Sequence, residues 1–297
     1  MFKKCLVTIL IISIGFGLVA CGGTKNTTAD DGKVKVCVTL NALKEFTVAV
    51  GGDKVQVTSI IPDGIEPHDF EPKAQDLVAL SYADVFVFNG LGMESWKDEA
   101  ISASANKELI SVDASTGVET ISNADDEHGE YDPHIWLSLK CAEIEVANIK
   151  DALAKADPIN KAYYEENSRK YISEIESLYN EFNNKLSSVE KKNFVTGHAA
   201  FAYLCRDFGL EQKSVEDVFA EGEPSAKQLT ELVEYCKNNG VKTIFAEEMA
   251  SPEVSETLAA EVGANVETIY TIESAEDNKS YLERMRENLS KIYDSLI

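Results

Sequence analysis

The sequence predicts an α/β protein built as two three-layer α/β lobes joined by one long central helix. Short β-rich runs alternate with helical periodicity toward both ends of the chain, the pattern of parallel strands linked by crossover helices. Between these regions lies a long stretch whose apolar residues recur at steps of three and four. Without its leader the chain of 297 residues keeps about 275, at the upper end for one core and comfortable for two lobes.

The first lobe, 33–138, opens on the strand-like KVKVCVTL (33–40), then a helical stretch over 41–50 and the strand KVQVTSII (54–61). A helix over 73–82, the strand DVFVFN (84–89), a helix over 94–105 and the strand ELISVD (108–113) follow. Residues 118–133 are irregular and acidic, with Asp125, Asp126, Glu127 and His128 in succession, and read as an exposed loop. Helical periodicity starts near Leu139, pauses at Asp157-Pro158 and restarts with Asp157 as N-cap and Pro158 at the first helical position. Ile172, Ile175, Leu178, Tyr179, Phe182 and Leu186 then form one buried stripe. The segment 139–190 is the connector, and thirty helical residues of it span about 45 Å. The second lobe, 191–297, repeats the plan with the strand NFVT (193–196), helices over 198–208 and 225–239, the strand KTIFAE (242–247), a helix over 252–262, the strand NVETIYT (265–271) and a helix over 276–296. Each lobe is expected to have its own core.

The leader sets the compartment. Lys3 and Lys4 precede an apolar run from Cys5 to Ala20, too short for a comfortable membrane span, so residues 1–20 read as a signal peptide. The run ends Leu18-Val19-Ala20-Cys21, which resembles the lipobox of bacterial lipoproteins and makes Cys21 the expected lipidation site. Residues 21–32, small and polar, read as a flexible tether that leaves the folded body outside the membrane.

A formal charge of −23 argues against nucleic acid, whose phosphates require clustered Lys and Arg. It is compatible with simple solubility or with attraction of cations toward a cleft. Cys37, Cys141, Cys205 and Cys236 are widely spaced with no C-x-x-C pair and read as buried thiols.

Only four histidines occur, and three occupy turns or domain edges. His68 lies in EPHDFEP, where Pro67 and Pro72 stiffen the loop and push Glu66 and Glu71 away from helix. His134 follows Pro133 at the end of the acidic loop, and His198 follows the strand NFVT and Gly197. In open α/β sheets such positions are where ligands bind. Imidazole suits zinc and related borderline cations. Gaps of 66 and 64 residues exclude a local finger-type site, so a shared ion has to be gathered by the tertiary fold, between the lobes.

PHDFEP, DPHIWL, VTGHAAFAYLCRDFGL, EGEPSAKQL and IFAEEM, in that order around a long helix, resemble the zinc/manganese-type substrate-binding lipoproteins of ABC transporters across nearly the whole mature chain. The resemblance implies that the ion sits in the inter-lobe cleft, with His68 and His134 from the first lobe and His198 from the second. Histidine at the third position implies Zn(II) as the transported ligand, Mn(II) being the alternative of the same family. The family's usual aspartate after the last strand is missing from TIYTIES, and Glu273 is the nearest carboxylate, with Glu248 or a water as other candidates for the fourth place. Asp69, Glu66, Glu71 and Asp132 are available to orient the imidazoles. A membrane permease is the implied partner, the membrane is reached through lipid on Cys21, and the protein is expected to act as a monomer.

Two other classes compete. A three-histidine zinc with an open position is also a hydrolase site, but the chain has neither H-E-x-x-H nor G-x-S-x-G, and NGLGMESW is no dinucleotide loop. An extracellular adhesin or scaffold with a structural ion finds little support in an aromatic content of 8%.

Overall fold

The structure, a computed structural model, describes residues 32–123, 129–218, 225–247, 252–275 and 277–297. The signal peptide, Cys21 and all but the last residue of the tether lie outside these residues, as do His128 and Glu248.

In the first lobe Val34–Val38 (β1), Asn41–Gly51 (α1), Val55–Ser59 (β2), Val85–Phe88 (β3), Lys97–Ser104 (α2) and Ile110–Asp113 (β4) build a parallel sheet of order β2-β1-β3-β4. The central strand VFVF of β3 is buried along its whole length, as a parallel strand covered on both faces must be. In the second lobe Asn193–Thr196 (β5), Ala202–Phe208 (α5), Glu211–Ser214 (β6), Ala226–Asn239 (α6), Thr243–Glu247 (β7), Glu253–Val262 (α7) and Asn265–Ile269 (β8) repeat the order as β6-β5-β7-β8, again parallel. Both sheets therefore reverse direction beside their first strand, and the loops at the C-terminal ends of their strands frame the crevice.

Leu139–Ala156 (α3) and Lys161–Ser187 (α4) come between the sheets, separated by Asp157 and a short 3-10 turn over Pro158–Asn160. The connector 139–190 is thus two helices packed along each other, with α4 as the long one. Its 27 residues span about 40 Å, and it lies against α1 of the first lobe and α5 and α8 (Tyr281–Leu296) of the second. Ile175, Leu178, Phe182 and Leu186 form its buried stripe, while Ile172 and Tyr179 are partly covered. Asp157 holds the break by accepting from Asn160 Nδ2 at 2.6 Å and from Tyr164 Oη at 2.8 Å.

Among the described residues the main core is shared between the lobes rather than divided, and only the second lobe has a further cluster of its own. One continuous apolar cluster runs from Val36 and Phe86 of the first sheet, through Ile149 of α3 and Phe182 of α4, to Phe245, Ile272 and Met285 of the second lobe. A smaller cluster, with Val195, Leu232, Ile244 and Leu258, sits beneath α6 and α7. The cause is α3 and α4: both bury apolar faces against the two lobes at once, so the lobes share an interior.

Three other expectations are corrected. Over 73–82 only Val78–Tyr82 winds, as a 3-10 helix, because Asp76 accepts from the Lys73 backbone N–H at 2.8 Å and closes a local turn instead. The helix expected from 198 starts at Ala202, since Gln212 and Thr196 side chains bond the His198 carbonyl and Gln212 also accepts from the Phe201 N–H. Helix α8 begins at Tyr281, where Ser280 and Glu283 form a capping box. The strand β6 was missed: its EQKS is a polar sheet edge with no apolar alternation to read.

Among the described residues no helix is long and apolar enough to cross a membrane.

Candidate metal centre

His68 sits in the long connection after β2, and His134 ends the irregular chain that follows β4. His198 follows β5, and Glu273 lies between β8 and α8. All four leave the C-terminal ends of strands, two in each lobe.

Pro67 is buried and its carbonyl accepts from the Phe70 N–H, which closes a tight turn around His68. The turn Ile135–Leu137 follows His134 directly, and Ser138 then caps α3 by accepting from the Cys141 N–H at 3.0 Å. Asp207 of α5 takes the Ser138 hydroxyl at 2.6 Å, fastening this corner to the second lobe. Gly197 is required by close approach: a Cβ there would stand 2.3 Å from Oε2 of Glu247. That contact lets Glu247 Oε1 accept from the His198 backbone N–H at 2.9 Å.

The structure brings the three histidines together. One ligand nitrogen from each of His68, His134 and His198 lies within 4.8 Å of the others. Ring centroids are 5.1, 5.5 and 4.7 Å apart for the pairs 68–134, 68–198 and 134–198. His134 and His198 are buried and His68 is half-buried. Nδ1 of His134 donates to Asp132 Oδ1 at 2.8 Å, and Oδ1 accepts from the His134 backbone N–H as well. In the neutral ring this leaves a lone pair on Nε2. Nε2 of His68 is 3.1 Å from it. Two such nitrogens at that range must share either a proton or a cation. At zinc–nitrogen distances of about 2.0–2.1 Å, ligands at the corners of a tetrahedron stand about 3.3 Å apart, so the pair already has nearly the spacing of one tetrahedral edge. Nε2 of His198 donates to the Val218 carbonyl at 2.8 Å, which assigns its lone pair to Nδ1.

Glu273 is buried rather than solvated, and its Oε1 is 3.9 Å from His134 Nε2. Its other oxygen accepts from the Thr271 hydroxyl at 3.1 Å. Glu66, His68 and Glu273 form a second group of ligand atoms within 4.8 Å, overlapping the first. Of the acids weighed as orienting partners, Asp132 holds His134, whereas Asp69 and Glu71 are exposed. Glu247 went unnoticed in the sequence, and its only signal there is its place at the end of β7, the strand beside β5.

Burial, with mutual repulsion from the other imidazoles, holds His68 well below the ordinary imidazole range and brings His198 down to about 3. Both rings are therefore neutral near pH 7, the form a cation needs. Desolvation pushes Glu66 up, against the opposing pull of the His68 N–H.

A two-lobed α/β body with three imidazoles and a carboxylate in its crevice defines an ion-binding protein of the solute-receptor type. Residues 36–295 match the family described as ZnuA, zinc-uptake complex component A, periplasmic, and the chain belongs to that family of transport substrate-binding proteins. A relative in Treponema pallidum (strain Nichols) is 44% identical over 304 residues, covering 98% of this chain and 96% of its own. The high-affinity zinc uptake system protein ZnuA of Bacillus subtilis (strain 168) is 36% identical over 316 residues, covering 100% and 99%. Among solved structures, the laminin-binding protein Lmb of Streptococcus agalactiae, described as bifunctional with adhesin and metal-transporting activity, superposes with a TM-score of 0.83 at 33% identity, over 89% of this chain and 100% of that one.

Proposed function

We propose that the protein captures Zn(II) outside the cytoplasmic membrane through His68, His134, His198 and Glu273, and delivers it to an ABC-transporter permease. The observation that supports this most is the convergence of imidazoles from both lobes within 4.8 Å of one another, with the first-lobe pair His68–His134 at 3.1 Å, close to one tetrahedral edge. Three nitrogens and one carboxylate favour zinc over manganese, which prefers more oxygen. The matched family is described as periplasmic and as part of a zinc-uptake complex. In this reading residues 1–20 are the signal peptide, Cys21 carries lipid, 21–32 is the tether, and the lobes span 33–138 and 191–297 about the connector 139–190. The protein works as an anchored monomer and performs no chemistry on its cargo. With Glu273 in the fourth place the ion is held away from water, which separates this reading from a zinc hydrolase.

Competition against a chromophoric chelator tests the cargo. Zn(II) is expected to bind at least 100-fold more tightly than Mn(II), about 2.7 kcal/mol; equal affinities would favour the manganese reading, and zinc-dependent ester or carbon dioxide turnover would favour the enzyme.

Two further outcomes are expected. The zinc-free protein stays folded, because its apolar core needs no ion, and zinc at a thousandfold its Kd adds about 4 kcal/mol to the unfolding free energy, readable as a rise in Tm by calorimetry. An unfolded zinc-free chain would instead indicate a structural ion. Asp132→Asn weakens zinc 10- to 100-fold, the usual cost of losing a carboxylate that orients a ligating imidazole. Unchanged affinity in the same competition would remove Asp132 from the site.

A further inference from the structure

The residue before Glu273 is in a conformation that its side chain disfavours. Ile272 has φ of 60° and is completely buried. For a β-branched residue the left-handed region is a genuine outlier, costly enough to persist only where surrounding contacts impose it.

Donors from the other lobe bracket it on both sides. On one side of Ile272 the Trp136 indole N–H donates to the Thr271 carbonyl at 2.7 Å. On the other side the Asn41 backbone N–H donates to the Glu273 carbonyl at 3.1 Å, and the Gly64 N–H to the Ser274 hydroxyl at 2.8 Å. Trp136 stands two residues after His134, Asn41 opens α1, and Gly64 lies in the loop that carries His68. From within its own lobe, Arg284 donates to the Ser274 carbonyl at 2.7 Å, and Asn288 accepts from the N–H of the preceding Tyr270 at 2.9 Å and donates to its carbonyl at 2.7 Å. The backbone on both sides of the kink is thus bonded to the first lobe, by the start of α1 and by the two segments that present His68 and His134.

We infer that Ile272 is a positioning residue for ion binding: its left-handed backbone, held by first-lobe donors, directs Glu273 at the imidazole cluster, and this conformation is favoured when the ion is bound. The inference rests on the reading of Glu273 as a ligand. Its physical content is a coupling. Ion occupancy draws the first-lobe loops and Glu273 together and so sustains the strained kink; loss of the ion lets residue 272 relax to negative φ and withdraws the carboxylate.

The pair Ile272→Gly and Ile272→Ala separates strain from packing, since both lose nearly the same buried side chain and only glycine adopts positive φ freely. Zinc is expected to bind the Gly variant about 5- to 30-fold more tightly than the Ala variant, the factor that corresponds to the steric cost of the left-handed region for an L-residue. The same comparison on a Glu273→Gln background should show no difference. Equal zinc affinities for Gly and Ala, with Glu273→Gln weakening zinc, would overturn the coupling and leave Glu273 a ligand. Unchanged zinc affinity in Glu273→Gln alone would overturn the ligand reading itself. Amide exchange at Ile272 and Glu273 of the unaltered protein supplies a second readout that needs no variant to fold: protection is expected to rise when zinc is added, and identical protection with and without zinc would overturn the inference.

Discussion

His198→Ala is expected to weaken zinc binding by at least 100-fold, about 2.7 kcal/mol or more. Removing a partner that merely orients a ligand already costs 10- to 100-fold, and His198 supplies the imidazole of the second lobe. Its position explains why no neighbour replaces it. The backbone N–H is tied to Glu247 and the ring N–H to the Val218 carbonyl, so the lone pair has a defined direction before an ion arrives. The ring is buried and neutral, which removes proton competition at pH 7. Substitution leaves His68 and His134 as a two-nitrogen site from one lobe, still able to hold zinc weakly but without the bridge between lobes. Chelator competition should report the loss while the Tm of the zinc-free protein stays near that of the parent. A drop below tenfold would place the ion elsewhere.

The second large effect concerns stability. Glu145, on the buried face of α3, is fully covered, and neither carboxyl oxygen has a hydrogen-bond partner among the described residues. The Cys141 thiol and the Tyr281 hydroxyl are the ionisable groups that feel its charge. Burial alone pushes the carboxyl far above the usual range, so it is held protonated. An unsatisfied buried polar group costs about 1–3 kcal/mol. Glu145→Met, similar in length and helix-compatible, is therefore expected to raise the unfolding free energy by about 2 kcal/mol and the Tm by roughly 4–8 °C. The pH dependence follows from the sign of the shift. Above the unfolded pKa of about 4.3 the unfolded chain releases this proton and the folded chain keeps it, so the parent loses stability as pH rises toward the folded pKa. The Met variant lacks that slope. Urea midpoints at pH 5 and pH 8 measure both quantities, and a variant less stable than its parent at pH 8 would show that Glu145 has a satisfying partner.

Much of the architecture was legible because a fully buried parallel strand and a covered helix leave strong local patterns. VFVF in β3, the stripe of α4 and the Asp157-Pro158 break are of this kind. The elements that escaped were decided by contacts at a distance: β6 is polar, and residues 198–201 are held out of helix by Gln212. His68, His134 and His198 were legible as candidates because imidazole is rare in the chain and each of the three follows a strand or a proline.

By itself, then, the sequence determined most of the elements and their order, the two-lobed plan and three candidate donor side chains, since these depend on composition and on neighbours within a few residues. Only the tertiary structure decided that the lobes share an interior, that Asp132 and Glu247 hold two of the histidines, and that Glu273 is buried 3.9 Å from His134. Distances between residues more than a hundred positions apart are set by how helices and sheets pack, and no local periodicity encodes them.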